Sequence, residues 1–162
     1  MQGVDVTTLG AILHELRGQW VPARVEGARQ ENPHTVRLIL RNATQQAGLE
    51  VSCHPVAARI HLSTQKIRGK SGSRYPFAQQ LFQHLGGQVL INIEQPLWER
   101  VATLEFALRP QAPVTFRLYV EIMGKYSNLI FADAQNKILC CAHTVSSDQS
   151  RVRPLLPNDP YT

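Results

Sequence analysis

Hydrophobic positions recur along this chain at two periods, and each stretch predicts an element. Leu9, Ile12, Leu13 and Leu16 fall at i, i+3, i+4 and i+7, which predicts an amphipathic helix with Gly18 as its stop and Asp5 or Thr7 as its cap. From Thr35 to Arg41 the period becomes two, with Val36, Leu38 and Leu40 alternating with Arg37, Ile39 and Arg41. Leu49, Val51 and Cys53 predict a second strand, and Ile60 with Leu62 a short third. Pro76 then opens a second helix, with Phe77, Leu81, Phe82 and Leu85 expected inward and Gly86-Gly87 ending it. The two-residue period returns at Val89, Ile91 and Ile93, again from Arg100 to Leu108, and again at Val114, Phe116, Leu118, Val120 and Ile122. A hairpin closes the series: Asn128 to Phe131, a turn at Ala134-Gln135-Asn136, then Ile138 to Ala142, with Asn136 able to take the left-handed backbone such turns demand.

About eight strands and two main helices, without βαβ alternation, predict an α+β domain built as an antiparallel β-sandwich or barrel with helices packed against it. A length of 162 residues suits one domain spanning 1–162. The tail from Arg153 to Thr162 carries Pro154, Pro157 and Pro160 and is expected to be extended, as a docking strip or the start of a linker.

One stretch breaks the periodicity. Ser63 to Arg74 is polar, glycine-containing and nearly free of apolar residues, which predicts an exposed, mobile loop. It lies inside a longer stretch, Val51 to Ile93, that contains no Asp or Glu but holds Arg59, Lys66, Arg68, Lys70 and Arg74. Removing these five from the seventeen basic residues leaves twelve, which match the twelve acidic ones, so the formal charge of +5 is concentrated in this stretch. Charge placed this way favours an anionic partner at one site over a uniformly basic surface.

Several classes are disfavoured. No apolar run approaches the length of a membrane span, and no secretory signal is recognisable, so a cytoplasmic location is expected. The three cysteines are odd in number and Cys140 is adjacent to Cys141, so they are expected as small buried thiols. Neither paired metal-ligand spacings nor the motifs of phosphate loops, dinucleotide folds, zinc proteases or serine hydrolases occur; Gly69-Lys70-Ser71 lacks the upstream glycine and strand of a phosphate loop. No cofactor, no metal, no small-molecule substrate and no catalytic residue is therefore expected.

Five blocks follow one another along the chain: Asp5 to Leu9 running into His14-Glu15-Leu16, Ser52 to Pro55 with Ala58 to Leu62, Phe77 through Leu85, Glu121 to Ile130, and Ser150 to Pro157. In this order they resemble the amino-terminal domain of the NFACT family of ribosome quality-control factors. Together they cover nearly the whole chain, and Glu121-Ile122-Met123-Gly124-Lys125-Tyr126-Ser127-Asn128 is the most specific. The resemblance implies a factor that binds large ribosomal subunits carrying a stalled peptidyl-tRNA. It further implies recruitment of charged tRNA and template-independent extension of the nascent chain, with alanine in bacteria. Peptide-bond formation belongs to the ribosome, so the module itself is not an enzyme. The family's longer members continue into helix-hairpin-helix, coiled-coil and carboxy-terminal domains. The fold is also similar to the amino-terminal domain of formamidopyrimidine-DNA glycosylases. Here Met1-Gln2-Gly3 supplies no amino-terminal proline, so a glycosylase-like module would bind DNA without its nucleophile. A surface-exposed fibronectin-binding adhesin is the other alternative, since bacterial relatives carry that label.

The resemblance ties an acidic residue at the first helix and an Asp-Arg pair to tRNA handling. These positions correspond to Asp5 and to Glu99-Arg100, where Glu replaces the family's Asp. Pairing of Arg100 with Asp5, which would aim the guanidinium at RNA, is expected. Lys66, Arg68, Lys70 and Arg74 are the expected phosphate contacts, with Tyr75 able to stack on a base. Lys125 follows Gly124 at an expected bend, and Ser127 and Asn128 either face RNA or bond locally as a hairpin corner. Arg151 and Arg153 complete the candidate RNA contacts.

Overall fold

The structure is a computed structural model that describes residues 6–54, 58–63, 75–95, 100–122 and 127–142. In chain order its elements are α1 (Val6–Trp20), β1 (Ala23–Asn32), β2 (Thr35–Arg41), β3 (Gln46–Ser52), β4 (Arg59–Ser63), α2 (Pro76–Leu85), β5 (Val89–Glu94), β6 (Val101–Ala107), β7 (Val114–Glu121), β8 (Asn128–Asp133) and β9 (Ile138–Cys141). All strand pairings are antiparallel, in one nine-stranded sheet of order β4-β3-β2-β1-β5-β6-β7-β8-β9.

The joint between β1 and β5 is short. Only Ala23↔Leu90 and Arg24↔Val89 are in register there, extended by the Val25 and Gly87 amides bonding across to Gln88 O and Val25 O. On either side of this seam the halves turn toward each other. Val36, Leu38, Leu40, Leu49, Val51 and Ile60 of the first half share one buried cluster with Leu104, Phe106, Leu118, Val120, Leu129 and Phe131 of the second. Folding the sheet on itself is the way a two-faced sheet buries its apolar side without a second sheet. Each helix packs against one strand of either half, α1 on β4 and β5, α2 on β1 and β9. A hydrogen bond from Arg17 Nε to Ile93 O (2.6 Å) and one from Ala78 N–H to Gln30 Oε1 (3.2 Å) fix the two helices to the sheet.

Three expectations need correction. α1 runs through Gly18 to Trp20, because Leu9, Leu13, Leu16 and Trp20 all bury on one face and the burial of Trp20 sustains the last turn. The stop is Pro22, which disfavours helical backbone at Val21. In α2, Phe82 points outward and is 38% exposed; Phe77, Ala78, Leu81 and Leu85 form the buried stripe. In β5, a register shift between Leu90 and Asn92 replaces the expected Val89-Ile91-Ile93 face: Leu90 and Ile93 enter the core and Ile91 stays half-buried.

The predicted turn at Asn136 is present, with φ of 66°. Cys53 and Cys140 are buried free thiols, and burial pushes both up to about 12. Because the thiolate is the nucleophile, iodoacetamide at pH 8 is expected to leave both unmodified in the native protein and to label both after denaturation. Peptide mass spectrometry after timed alkylation checks this.

Candidate nucleic-acid interface

Of the ten candidate contacts, Arg100 falls within the described residues. Asp5, Lys66, Arg68, Lys70, Arg74, Glu99, Lys125, Arg151 and Arg153 lie outside them, as does the expected pairing of Asp5 with Arg100. Chain connectivity still places the basic segment between the end of β4 at Ser63 and the start of α2 at Pro76.

Arg100 stands just before β6 and extends its ladder, its carbonyl accepting the Ile122 N–H at 2.8 Å. Strand alternation puts it in phase with Ala102, Leu104 and Phe106, which are fully buried. Arg100 itself is exposed, so its head emerges at the rim where the core ends. Across the adjoining strand ends, Val101 pairs with Glu121 and Glu121 with Asn128. Glu121, Ser127 and Asn128 are only 2%, 4% and 2% exposed. The Asn128 side chain accepts the Leu129 amide at 2.8 Å, the local bonding of a hairpin corner. Asn128 thus bonds locally, as a corner residue does, and Ser127 beside it is buried. At the neighbouring strand end, α1 lies close enough that a Cβ on Gly10 would sit 2.9 Å from Gln95 Oε1. The helix that follows Asp5 is thereby packed beside the end of β5.

The sequence reading missed a second cationic surface. On the outer face of β1 to β4, Arg24 pairs across strands with Arg41 and Arg29 with Arg37; Arg59 follows on β4. Between the two arginine pairs lies a rung made of Gly27, Ile39 and Gly48. The arginine stems use that bare surface: a Cβ on Gly48 would come within 2.5 Å of Arg37 Cδ. Gly48→Ala is therefore expected to displace a buried, paired arginine and to cost about 1–3 kcal/mol of stability, measurable by urea unfolding.

Glu50 organises the middle of this face. Its Oε2 accepts from Arg59 Nη2 (2.7 Å) and Nε (3.0 Å) and lies 2.9 Å from His61 Nε2, while its Oε1 faces Arg37 Nη2 at 3.5 Å. Burial alone would raise the Glu50 carboxyl, but hydrogen bonds from His61 and Arg59 outweigh it and hold the group below the usual range. Nearby, Glu26 accepts from Gln46 Nε2 at 2.5 Å and from Arg41 Nε at 2.9 Å, and these bonds hold its carboxyl low as well.

Among the described residues, no group of three or more His, Cys, Asp and Glu side chains is arranged to hold a metal ion, and no helix is long and apolar enough to cross a membrane. What the arrangement offers chemically is multidentate donation from fixed guanidinium groups, which suits phosphate oxygens and carboxylates.

A folded antiparallel sheet with a helix on each pair of facing strands and arginines ranked on its outer surface defines an α+β module with a cationic outer face. The chain belongs to the NFACT family: residues 5–162 match the profile described as "NFACT N-terminal and middle domains". It is 31% identical over 153 residues to the Rqc2 homolog RqcH of Streptococcus pneumoniae serotype 2 and 29% identical over 151 residues to that of Bacillus subtilis, covering 93% and 91% of this chain. It spans 28% and 26% of those relatives' own lengths. Among solved structures it is similar to the N-terminal domain of the fibronectin-binding protein PavA from Streptococcus pneumoniae (TM-score 0.87, 29% identity, 98% of this chain and 61% of that one). It is similar also to the N-terminal part of the fibronectin/fibrinogen-binding protein of Streptococcus suis (TM-score 0.86, 26% identity, 98% and 60%).

Proposed function

We propose that this chain is the non-catalytic, RNA-binding amino-terminal module of a ribosome quality-control factor. The factor engages stalled large ribosomal subunits in the cytoplasm and recruits charged tRNA, alanyl-tRNA in bacteria, for template-independent tailing of the nascent chain. The observation that carries this reading is the match to proteins named RqcH across more than nine-tenths of the chain. The charge distribution supports it: the stretch between Val51 and Ile93 contains no acid, and four of its five cations, all but the Arg59 that pairs with Glu50, fall between Lys66 and Arg74. In this reading Lys66, Arg68, Lys70 and Arg74 neutralise phosphates, and Lys125, Arg151 and Arg153 add contacts. Asp5, Glu99 and Arg100 orient the tRNA. Helix-hairpin-helix, coiled-coil and carboxy-terminal domains would complete the factor.

Ultraviolet crosslinking of the full-length protein in cells, followed by sequencing of the attached RNA, tests the reading. Enrichment of alanine tRNA together with large-subunit rRNA is expected. RNA recovered in proportion to cellular abundance would overturn it.

The names of the two solved neighbours favour a second reading, binding of fibronectin. Capture on immobilised fibronectin at physiological salt, undiminished by added tRNA, would support that reading instead.

A further inference from the structure

The outer face of β1 and β2 carries a charge arrangement that the fold alone does not account for. Arg24 stands opposite Arg41 and Arg29 opposite Arg37, two like-charged pairs in direct cross-strand register, an arrangement that works against the sheet. Strands β1 to β4 carry five arginines, Arg24, Arg29, Arg37, Arg41 and Arg59, against three acids, Glu26, Glu31 and Glu50. Glu26 and Glu50 are already engaged by Arg41, Arg37 and Arg59. An excess of positive charge therefore stays on the surface whichever way the ion pairs are drawn.

The face is also continuous with a groove. Arg24, Val25 and Glu26 line an open depression of about 580 Å³ together with Phe82, Gln83, Gly86 and Gly87 from the end of α2, and Glu26 there is bound by Arg41. Phe82 is one of two large apolar side chains that stand exposed among the described residues. Its ring lies against Gly86, where a Cβ would come within 3.1 Å of ring carbon Cε1. Gly87 takes a φ of +81°, a conformation that favours a residue without a side chain. The two glycines thus keep the floor low beside a presented aromatic face. A row of guanidinium groups leading into a groove with one exposed ring matches how single-stranded nucleic acid is held, by phosphate contacts along a backbone and a base stacked on an aromatic side chain.

We propose that the outer face of β1 and β2 and the groove at the end of α2 form one strip that binds single-stranded RNA, with Arg24, Arg29 and Arg41 on phosphates and Phe82 under a base. The proposal rests on the RNA-binding reading above and assigns it a second surface, separate from the basic segment between β4 and α2. Arginine, not lysine, supplies every cation of this face among the described residues, which suits bidentate contact with phosphate. An acidic protein would satisfy the charges but would leave the aromatic groove without a role.

The test uses the full-length protein and a fluorescein-labelled twelve-nucleotide oligouridylate, with affinity measured by anisotropy between 50 and 300 mM salt. Arg24→Gln, Arg29→Gln and Arg41→Gln combined are expected to weaken binding roughly a hundredfold at 100 mM salt and to flatten the salt slope by about two. Phe82→Ala is expected to weaken binding about tenfold with the slope unchanged. Phe82 is exposed, so this variant keeps the fold, which circular dichroism verifies for both. If both variants bind as the parent does while neutralising Lys66, Arg68, Lys70 and Arg74 weakens binding, the strip is wrong and the RNA-binding reading stands. If the parent shows no salt-dependent binding to the oligonucleotide or to tRNA, both fall. Equal competition by an oligoglutamate of matched length would overturn the assignment of the strip to RNA.

Discussion

Glu50→Ala is expected to lower stability by about 3–5 kcal/mol, a large fraction of the 5–15 kcal/mol typical of a domain. Glu50 and Arg37 are 9% and 8% exposed, so removing the carboxylate leaves a buried guanidinium beside Arg29 with its acidic partner gone. Arg59 and His61 lose the same acceptor but stand closer to water, at 39% and 45% side-chain exposure, and contribute less to the loss. The same carboxyl sets an acid limit. Its folded pKa lies below its unfolded one, so its stabilisation is complete above the unfolded value near 4.5 and fades as pH falls through the folded value. Thermal unfolding of the parent should therefore weaken below about pH 4.5, and Glu50→Gln should lose part of that dependence. A parent whose midpoint is unchanged down to pH 3 would contradict this account of the cluster.

Phe131→Ala is the second large effect, about 3–5 kcal/mol by chemical denaturation. Phe131 is fully buried in β8 and stacks on Phe116 of β7 at 5.3 Å between centroids, with the His84 ring of α2 at 5.7 Å. Truncation would open a cavity at the point where α2 meets the second half of the sheet, and the surrounding strands cannot collapse into it without breaking register. Phe131→Leu keeps most of the volume and should recover more than half of the loss.

What could be read in the sequence follows from regularity. β2 and the middle of β6 and β7 keep a two-residue period, the final hairpin is marked by its turn residues although its register shifts between Phe131 and Ala132, and both helices carry apolar stripes, so all were legible. β1 was not: its inward residues Ala23, Val25, Ala28 and Gln30 are spaced two, three and two apart, because a bulge between Val25 and Gly27 shifts the phase. Since β1 joins the two halves of the sheet, missing it also hid the seam and the single folded sheet. The arginine face was invisible for the same reason. Arg24, Arg29, Arg37, Arg41 and Arg59 are interspersed in sequence with Glu26, Glu31 and Glu50, and strand register alone collects them. Counting charge along the chain found only the segment where acids are absent. Arg100 continues the phase of β6 although the strand itself is Val101–Ala107 and Leu108 at its far end is 64% exposed, whereas the burial of Glu121 was obscured by its position in the polar phase of β7.

The central claim is that clustered cations of this module neutralise the phosphates of RNA. It is tested most directly by titrating the full-length protein with purified large ribosomal subunits carrying peptidyl-tRNA at several salt concentrations. Comparison is with a variant in which Lys66, Arg68, Lys70 and Arg74 are all glutamine. Four phosphate contacts predict that the parent loses about a hundredfold in affinity between 50 and 200 mM salt from these side chains, and that the variant's log–log slope is shallower by about three to four. Identical slopes and affinities for parent and variant would contradict the claim.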